Sequence, residues 1–290
     1  MSGNPNTKVK VAMLSVISNS ALIVMKLIVG VLSGSVSIIS EAIHSGMDLV
    51  ASIIAFFSVR ASSKPADKEH PYGHGKIENV SGVIEGLLIF IAAFLIIKEA
   101  IVKLIHPTEV SQTFMAIAVM GISSGINILV SRTLYKVAKK EESVALEADA
   151  LHLKTDVYTS AGVALGLLLM TVTRIRILDP ITAILVALLI VKEAWSLCRD
   201  AFKPLLDASL TEEEEIKIKG ILETYDEKIK GYHKLRTRRS GNIKYIDFHM
   251  FVDGSLTVDE AHSLSKEIET ILEQEIKNTN ASIHIEPSRK

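Results

Sequence analysis

Residues 36–60 read VSIISEAIHSGMDLVASIIAFFSVR, an apolar run interrupted by Glu41, His44 and Asp48. A membrane-spanning helix needs about 20 mostly apolar residues, and charged side chains at bilayer depth are rare and mark a pathway or a binding site. His44 and Asp48 are four apart and so share one helical face. Residues 144–172 repeat the arrangement with His152 and Asp156. Two such runs point to membrane helices whose ionisable groups turn inward.

Working outward, segments of spanning length fall at about 9–31, 36–60, 79–104, 112–136, 144–172 and 176–196. Leu32-Ser33-Gly34-Ser35 reads as a tight turn and Asp179-Pro180 as a second break, giving hairpins at both ends of the set. The connection from Arg60 to Asn79 is longer and polar. A hydrophobic content of 48% with mean hydropathy +0.33 exceeds that of an ordinary soluble domain. The net charge of −1 offers no concentrated basic surface, so nucleic acid is excluded as a partner. A single cysteine, Cys198, excludes an internal disulfide and a cysteine-rich zinc module. The first residues lack the short apolar core of a secretory signal, so the first apolar stretch is expected to stay as an anchor.

Lys8, Lys10, Arg60, Lys64, Lys68, Lys76, Arg132, Lys136, Lys139 and Lys140 collect at the N-terminus and the even connections. Only Lys98, Lys103, Arg174 and Arg176 lie near the odd ones. The positive-inside rule then places both termini in the cytoplasm of a multi-pass protein, expected in the cell inner membrane.

From Asp207 onward the chain reads as soluble. Thr211 followed by Glu212-Glu213-Glu214-Glu215 caps a helix to about Glu227. Strands are predicted over 232–239 and 243–252, joined by Ser240-Gly241-Asn242, then a helix over 257–275 and a strand over 281–286. The expected architecture is a membrane all-α six-helix domain over 1–206 and a cytoplasmic α+β unit of order α-β-β-α-β, ferredoxin-like, over 207–290.

The two His-Asp pairs lie on helices that run antiparallel in this topology. Facing each other, they form a cage of two imidazoles and two carboxylates. That donor set suits tetrahedral Zn²⁺, with Fe²⁺, Co²⁺, Cd²⁺ and Mn²⁺ behind, whereas Mg²⁺ and Ca²⁺ favour oxygen alone. One pair alone reads equally as a packing contact; two matching pairs favour chelation. Lys26 and Glu41 read as an ion pair between the first two helices; Glu85 is left unassigned, with solvation in a cytoplasmic cavity as its plainest explanation. An enzyme is not expected: H-E-x-x-H is absent and four protein ligands leave zinc no open position.

Three stretches carry a resemblance to a known family. They are Ser40-Glu41-Ala42-Ile43-His44-Ser45-Gly46-Met47-Asp48, Pro65-Ala66-Asp67-Lys68-Glu69-His70-Pro71-Tyr72-Gly73-His74-Gly75-Lys76, and Ala148-Asp149-Ala150-Leu151-His152-Leu153-Lys154-Thr155-Asp156. Together they resemble the cation diffusion facilitator family across almost the whole chain. The resemblance implies a dimeric divalent metal/proton antiporter with six helices and a cytoplasmic metal-binding domain. It implies a transport site at His44, Asp48, His152 and Asp156, a loop site at Asp67, His70 and His74, and a cytoplasmic zinc site at His233, His249, His262, His284 and Glu286. It also implies a structural ion pair between Lys76 and Asp207. Glu286 stands where some relatives carry Asp, and His44 where many bacterial relatives carry Asp. The latter change adds a nitrogen donor and removes a negative charge, which favours Zn²⁺ over Mn²⁺. The expected activity is efflux of Zn²⁺ in exchange for protons, with a homodimer and the lipid bilayer as partners and Zn²⁺ as both cargo and regulatory ion. The alternatives are another divalent metal as cargo, or a metal-binding scaffold or sensor without transport.

Overall fold

The computed structural model describes the backbone of residues 5–33, 36–105, 114–173, 175, 177–224 and 229–288. Within these, the side chains at 5, 33, 36–41, 43, 44, 47, 114–117, 163, 164, 166–168, 170, 171 and 179 are outside the description. Gly34 and Ser35 of the expected turn therefore lie outside the described residues, as does His106.

Six long helices come first: α1 (Pro5–Ser33), α2 (Val36–Ser62), α3 (Lys76–Ile105), α4 (Phe114–Glu141), α5 (Val144–Thr173) and α6 (Leu178–Phe202). The shortest has 25 residues, which at about 1.5 Å each still exceeds a hydrocarbon core of about 30 Å. On length and composition alone, Asn6–Leu32, Lys76–Ile105 and Pro180–Leu206 qualify as membrane spans among the described residues. The helices overrun the apolar segments at their charged ends, to Glu141 and Phe202, because helical hydrogen bonding continues past the apolar stretch. Pro180 does not break the chain before the last helix; it sits in the first turn of α6, where its missing N–H forfeits no intrahelical bond.

α1 packs on α2 and α4, and α5 packs on α2, α4 and α6. Phe56, Val130, Leu134, Leu146 and Leu153 pack with the small residues Ala12, Ala145 and Ala150 in the core of α1, α2, α4 and α5. Ile89, Ala148, Ile190 and Ala194 join α3, α5 and α6. Several polar groups buried here are paired across helices, which offsets the cost of a dry interior. Ser15 Oγ lies 2.9 Å from Ser52 Oγ, Asn19 Nδ2 donates to Ser52 Oγ at 2.6 Å, and Ser52 Oγ donates to Asp149 Oδ1 at 3.0 Å. Near one end of the bundle, Lys8 Nζ meets Glu78 Oε1 at 2.7 Å, with the two side chains 8% and 3% exposed. Ser62 Oγ donates to the same oxygen at 2.7 Å and Ser143 Oγ to the other. α1, α2 and the connection between α4 and α5 are thus tied to one carboxylate of α3.

The described chain divides into two compact units. The helices, with Asn4–Lys64 and Ile77–Phe202, form one; Pro65–Lys76 and Lys203–Lys290 form the other. The second unit contains a short 3-10 turn (Lys203–Leu206), α7 (Glu212–Glu223), β1 (Tyr232–Ser240), β2 (Ile243–Val252), α8 (Val258–Glu275) and β3 (Thr279–Pro287). Its order after the turn is the expected α-β-β-α-β. Capping boxes at Thr211/Glu214 and Thr257/Glu260 start the two helices. α7 is shorter than expected, ending at Glu223 with Thr224 as its cap; residues 225–228 lie outside the described residues. β1 and β2 are antiparallel, β2 and β3 parallel, in the order β1-β2-β3. Ile246, Phe248, Met250 and Val252 from one face of β2 pack on Ile218, Leu222, Ile268 and Leu272 of the helices. The opposite face is left for the side chains at the intervening positions.

The segment 65–76 is docked within this unit. Lys76 Nζ donates to Asp207 Oδ1 at 2.8 Å. The Arg238 guanidinium lies 4.5 Å from the Tyr72 ring centre and 4.7 Å from that of Tyr245, and Tyr245 Oη donates to Tyr72 O at 3.1 Å. Gly75 meets the β1–β2 turn so closely that a Cβ would lie 2.6 Å from Ser240 O, and Gly241 sustains that turn at φ +58°. Lys76 holds Asp207 below the ordinary carboxylate range through its hydrogen bond and charge, with Arg238 adding to the effect.

Breaking the buried Lys8–Glu78 pair should be the most damaging change in this region. Glu78→Ala is expected to cost about 3–5 kcal/mol, because it leaves Lys8 charged and unpaired. Thermal unfolding in detergent micelles checks this, and Lys8→Met combined with Glu78→Gln should recover part of the loss.

Candidate metal sites

The transport site expected from the sequence is partly in view. Asp48 on α2 and His152 on α5 are 6% and 7% exposed, and Asp48 Oδ1 lies 3.2 Å from His152 Nε2. Asp156, one turn further along α5, joins them: one ligating atom from each of Asp48, His152 and Asp156 lies within 4.8 Å of the others. Ligands about 2 Å from a shared zinc ion are separated by distances of this order. The His44 side chain lies outside the described residues, although its backbone belongs to α2.

Local chemistry holds these groups in place. Thr155 and Thr159 donate to the carbonyls of His152 and Asp156 at 2.7 and 2.9 Å. Asn19 Nδ2 reaches the Asp48 carbonyl at 3.5 Å. His152 Nδ1 has no hydrogen-bond partner among the described residues. Asp149, one turn before His152, is fully buried and held by Ser52.

Glu85 differs from the expectation of a solvated carboxylate. It is 0% exposed and accepts from Ser81 Oγ at 3.0 Å, because its face of α3 is packed inside the bundle. Lys26 donates to Ser45 Oγ at 2.7 Å. Its expected partner Glu41 has a side chain outside the described residues.

Two further groups lie in the other unit. In the loop, Asp67, His70 and His74 place ligating atoms within 4.8 Å of one another. Asp67 Oδ1 accepts the N–H of Glu69 at 3.0 Å and that of His70 at 2.7 Å, an Asx-type turn that brings the three side chains together. These bonds, that of His70 first, hold Asp67 below the ordinary carboxylate range, and the imidazoles of His74 and His70 act in the same direction.

The second group follows from strand register. His233, His249 and His284 are paired row-wise across β1, β2 and β3, and Glu286 pairs with Phe251 two positions along. A bulge after His233, with Lys234 at φ +51°, interrupts the β1 ladder. His249 Nδ1 lies 2.6 Å from Glu286 Oε1, His233 Nε2 3.2 Å from Oε2, and His284 Nε2 3.9 Å from Oε1. The hydrogen bond from His249 leads in holding the Glu286 carboxyl below its ordinary value, with the His233 charge acting in the same sense. His262 is not brought to this cluster. It is exposed on α8, whose buried side is Ala261, Ser265, Ile268 and Leu272, while the histidine row lies on the sheet face opposite to that core. Together with the two His-Asp helices, these clusters provide three places where a divalent cation could be held.

Comparison with known proteins assigns the whole chain. The family described as "Cation efflux transmembrane domain" matches residues 12–206, and "Cation efflux protein, cytoplasmic domain" matches 210–288. The chain belongs to the cation efflux, or cation diffusion facilitator, family. It is 34% identical to the uncharacterized transporter sll1263 of Synechocystis over 95% of this chain and 89% of that protein. It is 31% identical to the cation-efflux pump FieF of Shewanella oneidensis, over 94% and 92%. To the manganese efflux system protein MneP of Bacillus subtilis it is 30% identical over 96% and 95%. The chain is therefore a multi-pass membrane transporter for divalent cations, not an enzyme.

Asp149 and Asn127 are the polar groups beside the expected transport site to which the sequence reading gave no role. Asn127 repeats at four-residue spacing with Ser123 and Ser131 in an otherwise apolar helix, whereas Asp149 stands between Ala145 and Leu153 at that interval and lies three positions before His152.

The depressed pKa of Glu286 has a measurable consequence. Its ion pair with His249 and His233 contributes stability above the ordinary glutamate range and loses it as the pH falls through that range and below. In metal-free protein, Glu286→Gln should lower the melting temperature of the cytoplasmic unit near pH 7. The difference from wild type should begin to shrink near the ordinary glutamate value, about pH 4, and close below it.

Proposed function

We propose that the chain exports Zn²⁺ from the cytoplasm in exchange for protons, by alternating access around a site made of His44, Asp48, His152 and Asp156. The observation that carries this reading is the approach of Asp48 and His152 to 3.2 Å, with Asp156 beside them, inside apolar helices. An isolated pair of such groups would be costly in a bilayer, and a cation between them offsets the carboxylate charge. The cargo ion meets two carboxylates and one imidazole, with His44 adding a second nitrogen, and this mixed set favours zinc over magnesium or calcium.

The exchange follows from the ligands. Metal binding requires neutral imidazole and ionised carboxylate, so protons and the cation compete for the same atoms. Imidazole is the side chain that ordinarily titrates nearest neutrality, which makes His44 and His152 the proton carriers. Protons arriving from outside protonate these groups and displace the ion; their loss to the cytoplasm restores the empty site. The bundle is assigned to residues 1–206 and the cytoplasmic domain to 207–290. Both termini face the cytoplasm of the inner membrane, by the distribution of Lys and Arg. The cytoplasmic domain joins two copies into a homodimer. Asp67, His70 and His74 in the loop, and His233, His249, His284 and Glu286 on the sheet, bind regulatory Zn²⁺.

A second reading, Mn²⁺ as cargo, is favoured by the likeness to the manganese efflux protein of Bacillus subtilis. Flux into proteoliposomes under an imposed pH gradient separates the two. Wild type should carry Zn²⁺ in preference to Mn²⁺. Asp48→Ala and Asp156→Ala should each reduce flux by more than about 100-fold, since even outer partners of metal ligands are worth roughly 10–100-fold. Undiminished flux in both variants would remove the site, and a preference for Mn²⁺ would remove the zinc assignment.

A further inference from the structure

Helix α4 carries a polar stripe that the four-ligand site does not use. Ser123, Asn127 and Ser131 recur at every fourth position and are 7%, 7% and 8% exposed, so they share one buried face. Ser131 Oγ donates to the Ala150 carbonyl of α5 at 2.7 Å and fixes the two helices against each other. One turn earlier, Asn127 Nδ2 donates to Asp156 Oδ2 at 3.5 Å. The amide orientation is set by its neighbour, because the reversed amide would turn its oxygen toward a carboxylate. Asn127 Oδ1 has no hydrogen-bond partner among the described residues.

Buried amide oxygens seldom go unsatisfied in native interiors. This one belongs to a side chain that already touches a transport ligand, and an arriving cation would supply its missing partner. We infer that Asn127 is a specificity-determining residue of the transport site: its nitrogen positions Asp156, and its oxygen offers the cargo ion a neutral donor. The inference rests on the assignment of Asp156 to that site.

The added donor acts on cargo choice in a definite direction. Zn²⁺ is content with four ligands of mixed nitrogen and oxygen, whereas Mn²⁺ prefers more ligands and more oxygen. A neutral oxygen at the site therefore helps Mn²⁺ more than Zn²⁺, opposing the imidazoles without adding charge. Removing it should narrow the transporter toward zinc. Replacing it with a carboxylate should do the reverse.

The test is inhibition of Zn²⁺ flux by Mn²⁺ in proteoliposomes, which reads both ions in one assay. In Asn127→Leu, the ratio of the Mn²⁺ inhibition constant to the Zn²⁺ KM should rise by about tenfold, the lower end of the effect of partners around a metal ligand. In Asn127→Asp, which preserves size and covers the case in which the leucine variant does not fold, the ratio should fall below wild type. A residue that merely packs helices would change both constants by one factor. An unchanged ratio in both variants, or wild-type flux that Mn²⁺ does not inhibit, would overturn the inference. Asp156→Ala separates the two levels: persistent flux there defeats the site itself, whereas lost flux with an unchanged Asn127 ratio defeats only the role of Asn127.

Discussion

The bilayer core supplies no water, so a carboxylate or an imidazole inside it must find its partner within the protein. Asp48 and His152, 3.2 Å apart and almost wholly buried, meet this constraint by facing each other. The bundle around them is organised to satisfy it. α2 and α5 face each other at the pair, α1 contributes Ser15 and Asn19 to the hydroxyl chain that ends on Asp149, and α4 contributes Asn127 beside Asp156. The Lys8–Glu78 pair meets the same demand near the bundle end, where two serines complete the carboxylate's shell. Packing in this unit is thus inseparable from the polar groups buried inside it. Substituting one partner leaves the other buried and unpaired.

In the cytoplasmic domain, different physics builds the candidate metal sites. In the cytoplasmic unit the apolar face of the sheet is covered by α7 and α8, and the other face is free to carry polar side chains. Three histidines aligned in register and one glutamate then form a cluster without a dedicated loop. The loop site depends instead on an Asx turn at Asp67, inside a segment held by Arg238, Tyr72 and Tyr245 and by the close contact of Gly75 with the β1–β2 turn. These two clusters are more open than the one in the bundle.

Much of this was legible in the sequence because it depends on short periods. Six apolar runs gave six helices, and four-residue spacing placed each His-Asp pair on one face. The period-two pattern of Ile246, Phe248, Met250 and Val252 gave the buried face of β2. The loop ligands fall within eight consecutive positions, so their proximity needed only one turn. What escaped depends on which way a helix faces. His262 follows Ala261, which is buried, and one residue of helix turns it about 100° away from that face. Glu85 looked solvated because the packing around α3 involves residues far along the chain. Asn127 carries no charge, so it drew no attention in a membrane helix, although its neighbours Ser123 and Ser131 repeat at the same interval. The Lys76–Asp207 pair joins residues 131 apart and was accessible only through family resemblance.

The central claim is that one cation is held in the bundle by both imidazoles and both carboxylates. Zinc-edge X-ray absorption on protein with Asp67, His70, His233, His249 and Glu286 replaced by alanine isolates that site from the two outside the bundle. The account predicts a mixed nitrogen and oxygen shell, with the outer scattering of two imidazoles, that disappears when Asp48 is also replaced. An oxygen-only shell, or a bound zinc signal indifferent to Asp48, would contradict it.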